Sequence, residues 1–253
     1  MSTPVDTLAV PELRELTTEH GVLRYRECGD GPPLLLLHGS GPGVTGWRNF
    51  GGNVPVFAEH YRTLVLEFPG FGVSDDFGAV HPMLSAQQAV RAFLDGLGLE
   101  QVRIIGNSMG GFVATDFAIA APERVERLVT IGGIGTPLFS AQPGEGIIRL
   151  GEFVDNPTRE RLIAWLRSMV FDQSLVTEEL IEQRWQQATD PATLENSRRM
   201  YGSAALARMA EAGPPPPPPP PGGNKRRSNP PGAGSRGPAG RPHAGARARG
   251  TAQ

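Results

Sequence analysis

Gly106-Asn107-Ser108-Met109-Gly110 fits the pattern G-x-S-x-G. A serine between two glycines can be thrust out on a sharp strand-to-helix turn, where its hydroxyl attacks a carbonyl. The flanking sequence suits that turn: Val102–Ile105 is a short apolar run, and Met109–Ala121 is helical in pattern and stopped by Pro122. The glycines leave room where side chains would clash, and a helix N-terminus favours the negative charge that develops during attack. A second glycine-rich stretch, His38-Gly39-Ser40-Gly41-Pro42-Gly43, follows the apolar run Leu34–Leu37. Such a loop can present backbone N–H groups to an oxyanion, with a partner N–H from Met109, the residue after the serine. No lysine follows it, which excludes a P-loop. The position of His38 ahead of the glycines favours a structural role over that of a catalytic base.

Placing a serine and a donor loop together requires a sheet. Leu13–Thr18 and Val22–Glu27 read as strands joined by a turn at His20-Gly21, and Gly29-Asp30-Gly31 is a second tight turn. Leu34–Leu37, Arg62–Phe68, Val102–Ile105 and Val125–Ile131 are short runs dominated by apolar residues without polar alternation, as expected for parallel strands covered on both faces. Ala86–Leu97, closed by Gly98, is a helix between two of them. Strand–helix alternation predicts an α/β fold with a doubly wound, mostly parallel sheet. The expected organisation is a core over residues 1–135, a helical lid over 136–212 containing helices at Arg159–Val170, Glu178–Ala188 and Pro191–Glu211, and a tail over 213–253. No internal repeat is evident.

The 253 residues carry 24 basic and 26 acidic side chains, but none of the acids lies beyond Glu211, whereas Lys225 and six arginines do. The body is therefore acidic and gives no electrostatic reason to expect nucleic acid as a partner. The single cysteine, Cys28, fits a reducing compartment. Met1–Glu15 has no basic region followed by an apolar run, and no stretch approaches 18 consecutive apolar residues, so the expectation is a cytoplasmic protein with no secretory signal and no membrane span.

The segments HGSGPG with Trp47 and Asn49, Phe68-Pro69-Gly70-Phe71-Gly72-Val73-Ser74-Asp75 and GNSMGG together resemble the α/β-hydrolase superfamily. In particular they resemble its carbon–carbon bond hydrolases, which act on ring-fission (meta-cleavage) products of aromatic and steroid catabolism. The segment from Phe171 to Leu180, followed by Arg184-Trp185, is similar to that subfamily's lid. The resemblance covers about residues 10–212. It implies a 6-substituted 2-hydroxy-6-oxo-hexa-2,4-dienoate as the small-molecule substrate, cleaved with water to 2-hydroxypenta-2,4-dienoate and a carboxylic acid. Ser108 would attack the C6 carbonyl after ketonisation, and the N–H groups of Ser40 and Met109 would hold the oxyanion. Arg184 would bind the dienoate carboxylate and Asn49 its 2-oxygen, with Gly39, Gly41, Asn107 and Trp185 completing the substrate-binding set. No metal and no organic cofactor are implied; homo-oligomers are common in the family. An ester substrate on the same fold is the alternative enzyme reading.

The family order is serine, then aspartate, then histidine, both partners lying beyond the lid. Here the segment after Glu211 contains no acid, its one histidine is His243, and two strands and a closing helix of the pattern are absent. Instead Pro214–Pro221 is an unbroken proline run followed by Gly, Pro, Ala and Arg, a composition that cannot offset the ordering entropy and is expected to be disordered. One reading is out-of-frame translation of a GC-rich gene; the other is a genuine polyproline ligand or basic arm for RNA. Without a base Ser108 would be a poor nucleophile, leaving an impaired enzyme or a catalytically dead remnant.

Overall fold

The structure is a computed structural model and describes residues 10–78, 81–133 and 144–212. The expected tail, residues 213–253, and the start of the expected lid, 136–143, lie outside the described residues.

Two antiparallel strands, β1 (Leu13–Thr18) and β2 (Gly21–Cys28), lead into β3 (Pro33–Leu37). Two short helices, α1 (Gly46–Phe50) and α2 (Val54–Ala58), precede β4 (Arg62–Glu67). Then α3 (Pro82–Gly96), β5 (Val102–Asn107), α4 (Met109–Ala120) and β6 (Val125–Ile131) complete a six-stranded sheet of order β1-β2-β4-β3-β5-β6. The β2–β4 pair is antiparallel, while β4, β3, β5 and β6 run parallel.

Side-chain alternation explains why the inner strands are largely apolar. Leu35 and Leu37 of β3 and Leu64 and Leu66 of β4 join Phe93, Val113 and Phe117 in one core, beneath α3 and α4. Leu34, Leu36 and Val65 point the other way, onto Phe50 and Val54 of α1 and α2. A strand that feeds two cores has no solvent face and needs no polar residue. At the far edge β6 differs: Val129 and Ile131 are 52% and 51% exposed, and among the described residues no further strand pairs with it.

The segment following β6 is helical: α5 (Glu145–Asp155), α6 (Arg159–Ser168), α7 (Glu178–Ala188), α8 (Pro191–Tyr201) and α9 (Ser203–Ala212). It has its own apolar cluster, built on Phe153, Leu162, Trp165 and Ile181. The expected single helix Pro191–Glu211 is two helices. Gly202 is extended, at φ −63° and ψ 156°, and Asp155 accepts from Ser203 N to start the second. Asn196 Nδ2 donates to Gly70 O (2.6 Å) and Met200 enters the main core, so α8 ties the helical segment to the sheet.

The chain steps from β3 to β4 on one side and then to β5 on the other, so β3 and β5 flank the point where strand order reverses. In open α/β sheets, ligands bind beyond the carboxyl ends of strands at such a point. The glycine loop leaves β3 there, and Ser108 leaves β5.

Candidate active site

Ser108 has φ 50° and ψ −113°, and among the described residues no other non-glycine residue has positive φ. Such a conformation costs about 1–3 kcal/mol and persists only where its surroundings impose it. They do so from both sides: Ser108 N donates to Ile131 O (2.7 Å), and Ser108 O accepts from Gly111 N (2.9 Å) and Phe112 N (3.2 Å). A Cβ on Gly106 would lie 2.3 Å from Gly110 O, and one on Gly110 would lie 2.1 Å from Leu37 O. Both glycines of the motif are therefore required by backbone crowding. Ser108 Oγ has no hydrogen-bond partner among the described residues.

The loop after β3 is held from below. His38 is fully buried; its Nε2 accepts from Phe68 N (3.0 Å), which leaves the proton on Nδ1, facing Gly39 O at 2.5 Å. Burial pushes the ring pKa down to about 4. A neutral imidazole with both nitrogens engaged cannot serve Ser108 as a base; it joins the ends of β3 and β4. Glu67, whose pKa burial raises, accepts from Gly46 N (2.8 Å) and Trp47 N (3.4 Å) and so caps α1. That fixes Asn49, whose Oδ1 accepts from both Gly39 N (2.9 Å) and Asn107 Nδ2 (3.0 Å). With the Gly39 N–H occupied, the N–H groups of Ser40 and Met109 stay without a partner among the described residues. Met109 is the first residue of α4, so its N–H is one of the helix's unfilled donors.

These groups share a cavity of ≈ 300 Å³ with residues of the helical segment. Gly39, Ser40, Gly41, Asn49, Asn107 and Ser108 line one side; Leu150, Trp165, Leu180, Arg184 and Tyr201 line the other. Nη1 of Arg184 is buried with no hydrogen-bond partner, and its pKa is lowered by burial first and the nearby Arg48 charge second. An unpaired buried cation in a cavity is an attraction for an anion.

The structure thus brings together eight of the nine residues singled out from sequence. Met109 is buried beneath the turn and offers only its backbone. The ninth, Trp185, packs its ring against Phe153 (6.5 Å between centroids) inside the helical segment's own cluster and does not line the cavity. Trp165 does: a Cβ on Gly41 would lie 3.0 Å from its ring, which accounts for a glycine there. Tyr201 was also missed. Its hydroxyl meets Ser40 Oγ, and burial raises its pKa. Both are apolar-face residues of helices, and nothing in spacing separates a cavity wall from a core. Among the described residues no group of three or more His, Cys, Asp or Glu could hold a metal, and no helix is long and apolar enough to cross a membrane.

The fold is shared with known proteins. The family model described as the alpha/beta hydrolase fold matches residues 32–153. Over 190 residues the chain is 37% identical to the 2-hydroxy-6-oxononadienedioate/2-hydroxy-6-oxononatrienedioate hydrolase of Comamonas testosteroni, covering 69% of this chain and 66% of that one. A serine hydrolase from the polyaromatic hydrocarbon-degrading bacterium Cycloclasticus zankles superposes with a TM-score of 0.67 at 30% identity, over 75% of this chain and 69% of its own. The meta-cleavage product hydrolase of Pseudomonas fluorescens superposes with a TM-score of 0.69 at 28% identity, over 77% and 70%. The chain spans between 58% and 66% of the length of the curated relatives it matches. On fold, motif context and these matches, the chain belongs to the α/β-hydrolase family.

Proposed function

We propose that the cavity binds a 6-substituted 2-hydroxy-6-oxo-hexa-2,4-dienoate and that Ser108 serves its C–C cleavage. The observation that carries this reading is the Arg184 guanidinium, half-buried and with its buried Nη1 unpartnered, in the same cavity as the strained Ser108. A neutral ester would leave that cation unmatched. Arg184 pairs with the carboxylate and Asn49 faces the 2-oxygen, which leaves the C6 carbonyl for Ser108. Oγ adds to C6, and the oxyanion takes the N–H groups of Ser40 and Met109. In the 2-oxo tautomer C5 already carries the proton that left the 2-hydroxyl. Breaking the C5–C6 bond therefore sends its electron pair through C3–C4 to the 2-oxygen, which takes up the proton given up by Oγ and leaves as the dienol. Water then takes the acyl group as a carboxylic acid and returns a proton to Oγ. Attack needs a base to accept the Oγ proton. None of the described residues makes a hydrogen bond to Oγ, so activity of the 253-residue chain is proposed to be low. The relatives named as dienoate hydrolases support the substrate class.

Arg184→Ala tests the assignment. Losing a charge-assisted contact of about 1.5–3 kcal/mol weakens dienoate binding roughly tenfold to a hundredfold, while a neutral ester is bound as before. Equal loss on both would return the assignment to an esterase. A second reading, a protein that binds the acid without cleaving it, is favoured by the unpartnered Ser108 Oγ alone.

A further inference from the structure

Arg184 is not the only cation at this cavity. Arg48, in α1 next to Asn49, borders it as well, and also borders a neighbouring cavity of ≈ 300 Å³ between the Gly43 loop and α7–α8. Its Nη1 donates to Gly43 O (3.0 Å), which holds the guanidinium beside the glycine loop and leaves other N–H donors free. Among the described residues neither Arg48 nor Arg184 has a carboxylate within ion-pair distance. The acids in reach are engaged elsewhere: Glu67 caps α1, and Asp190 caps α8 through Thr193 N (2.9 Å). Two like charges thus border one cavity whose lining, among the described residues, carries no acid, although the Glu67 carboxylate lies near enough to Arg48 to act on it. That juxtaposition is unfavourable in the empty protein and favourable once an anion enters.

We propose that Arg48 is a second anion-binding residue of this cavity, acting with Arg184 on the carboxylate and adjacent 2-oxygen of an organic acid. Arg184 supplies the buried contact. Arg48, at the exposed rim, adds attraction that salt screens. The proposal rests on the reading of the cavity as an acid site, and it adds a residue that the family resemblance does not supply.

Calorimetric titration of the full chain with 2-oxopentanoate at low ionic strength tests it, with methyl 2-oxopentanoate as the uncharged comparison. Arg48→Ala should weaken 2-oxopentanoate about tenfold, the scale of one hydrogen bond to a charged group. Arg48→Lys, which keeps the charge, should stay within about threefold of the parent, and raising the salt should shrink the difference between parent and Arg48→Ala. The methyl ester should be indifferent to all of these. Unchanged affinity in Arg48→Ala alongside a loss in Arg184→Ala overturns the role of Arg48 and leaves the acid site standing. Equal loss of acid and ester in Arg48→Ala overturns it too, as a structural effect. No saturable binding of 2-oxopentanoate by the parent removes the acid site and the inference with it.

Discussion

Asn49→Ala should destabilise the protein without touching its main cores. The Asn49 Oδ1 atom accepts from the Gly39 N–H and from the Asn107 amide, and so joins the glycine loop to the residue preceding Ser108. Gly39 is buried, so its N–H would lose its acceptor with little water to replace it, at about 1–3 kcal/mol. Asn107 is half-buried and can be partly rehydrated, adding about 0.5–1.5 kcal/mol. A total near 2–4 kcal/mol lowers Tm by roughly 5–15 °C in a domain of this size. Asn49→Asp separates the hub from mere side-chain removal: a carboxylate oxygen accepts both bonds, so Tm should stay within a few degrees, while the added negative charge opposes acid binding at Arg184. Urea unfolding of the three proteins, followed by tryptophan fluorescence, gives the free-energy differences. Asn49→Ala within about 0.5 kcal/mol of the parent would refute the reasoning, because the two bonds would then be holding nothing.

Gly110→Ala should cost about 3 kcal/mol, since its Cβ would lie 2.1 Å from Leu37 O; Gly52→Ala, with nothing within 4 Å, should stay within about 0.5 kcal/mol in the same unfolding assay. Acidification should destabilise the protein through His38. Its folded pKa, about 4, lies below the usual 6.5, so the unfolded chain binds the proton first and stability falls between about pH 6.5 and pH 4. The full effect is on the order of 3 kcal/mol. Glu67, with its pKa raised by burial, works in the opposite sense as pH falls, so the His38 share is read as the difference in pH dependence between the parent and His38→Gln.

Much of the body was legible because its signals are local. Val125–Ile131 and Leu13–Thr18 read directly as strands, and the elbow is written in two glycines four residues apart. The mostly parallel sheet followed from Leu34–Leu37, a run that only a strand between two cores can bury. What escaped depends on partners far along the chain. Helix α1 is only five residues long; Thr45 caps it through Arg48 N, but Glu67, some twenty residues later, also holds the N–H groups of Gly46 and Trp47, a contact that no local pattern marks. The break at Gly202 depends on Asp155, a residue of α5, which was itself unmarked. Trp165 and Trp185 are the same residue type on neighbouring amphipathic helices. Both pack in the helical cluster, and packing alone makes the first also a wall of the cavity while the second stays away from it.

Ser108 is proposed as the nucleophile for a dienoate held by Arg184. The direct measurement incubates the full chain and its Ser108→Ala variant with a 2-hydroxy-6-oxo-6-phenyl-hexa-2,4-dienoate and follows products chromatographically over hours. The parent should slowly release 2-hydroxypenta-2,4-dienoate and benzoate in equal amounts, and Ser108→Ala should bind the dienoate without releasing either. Binding without release by both would favour the non-cleaving reading, and equal product formation by both would contradict Ser108 as the nucleophile.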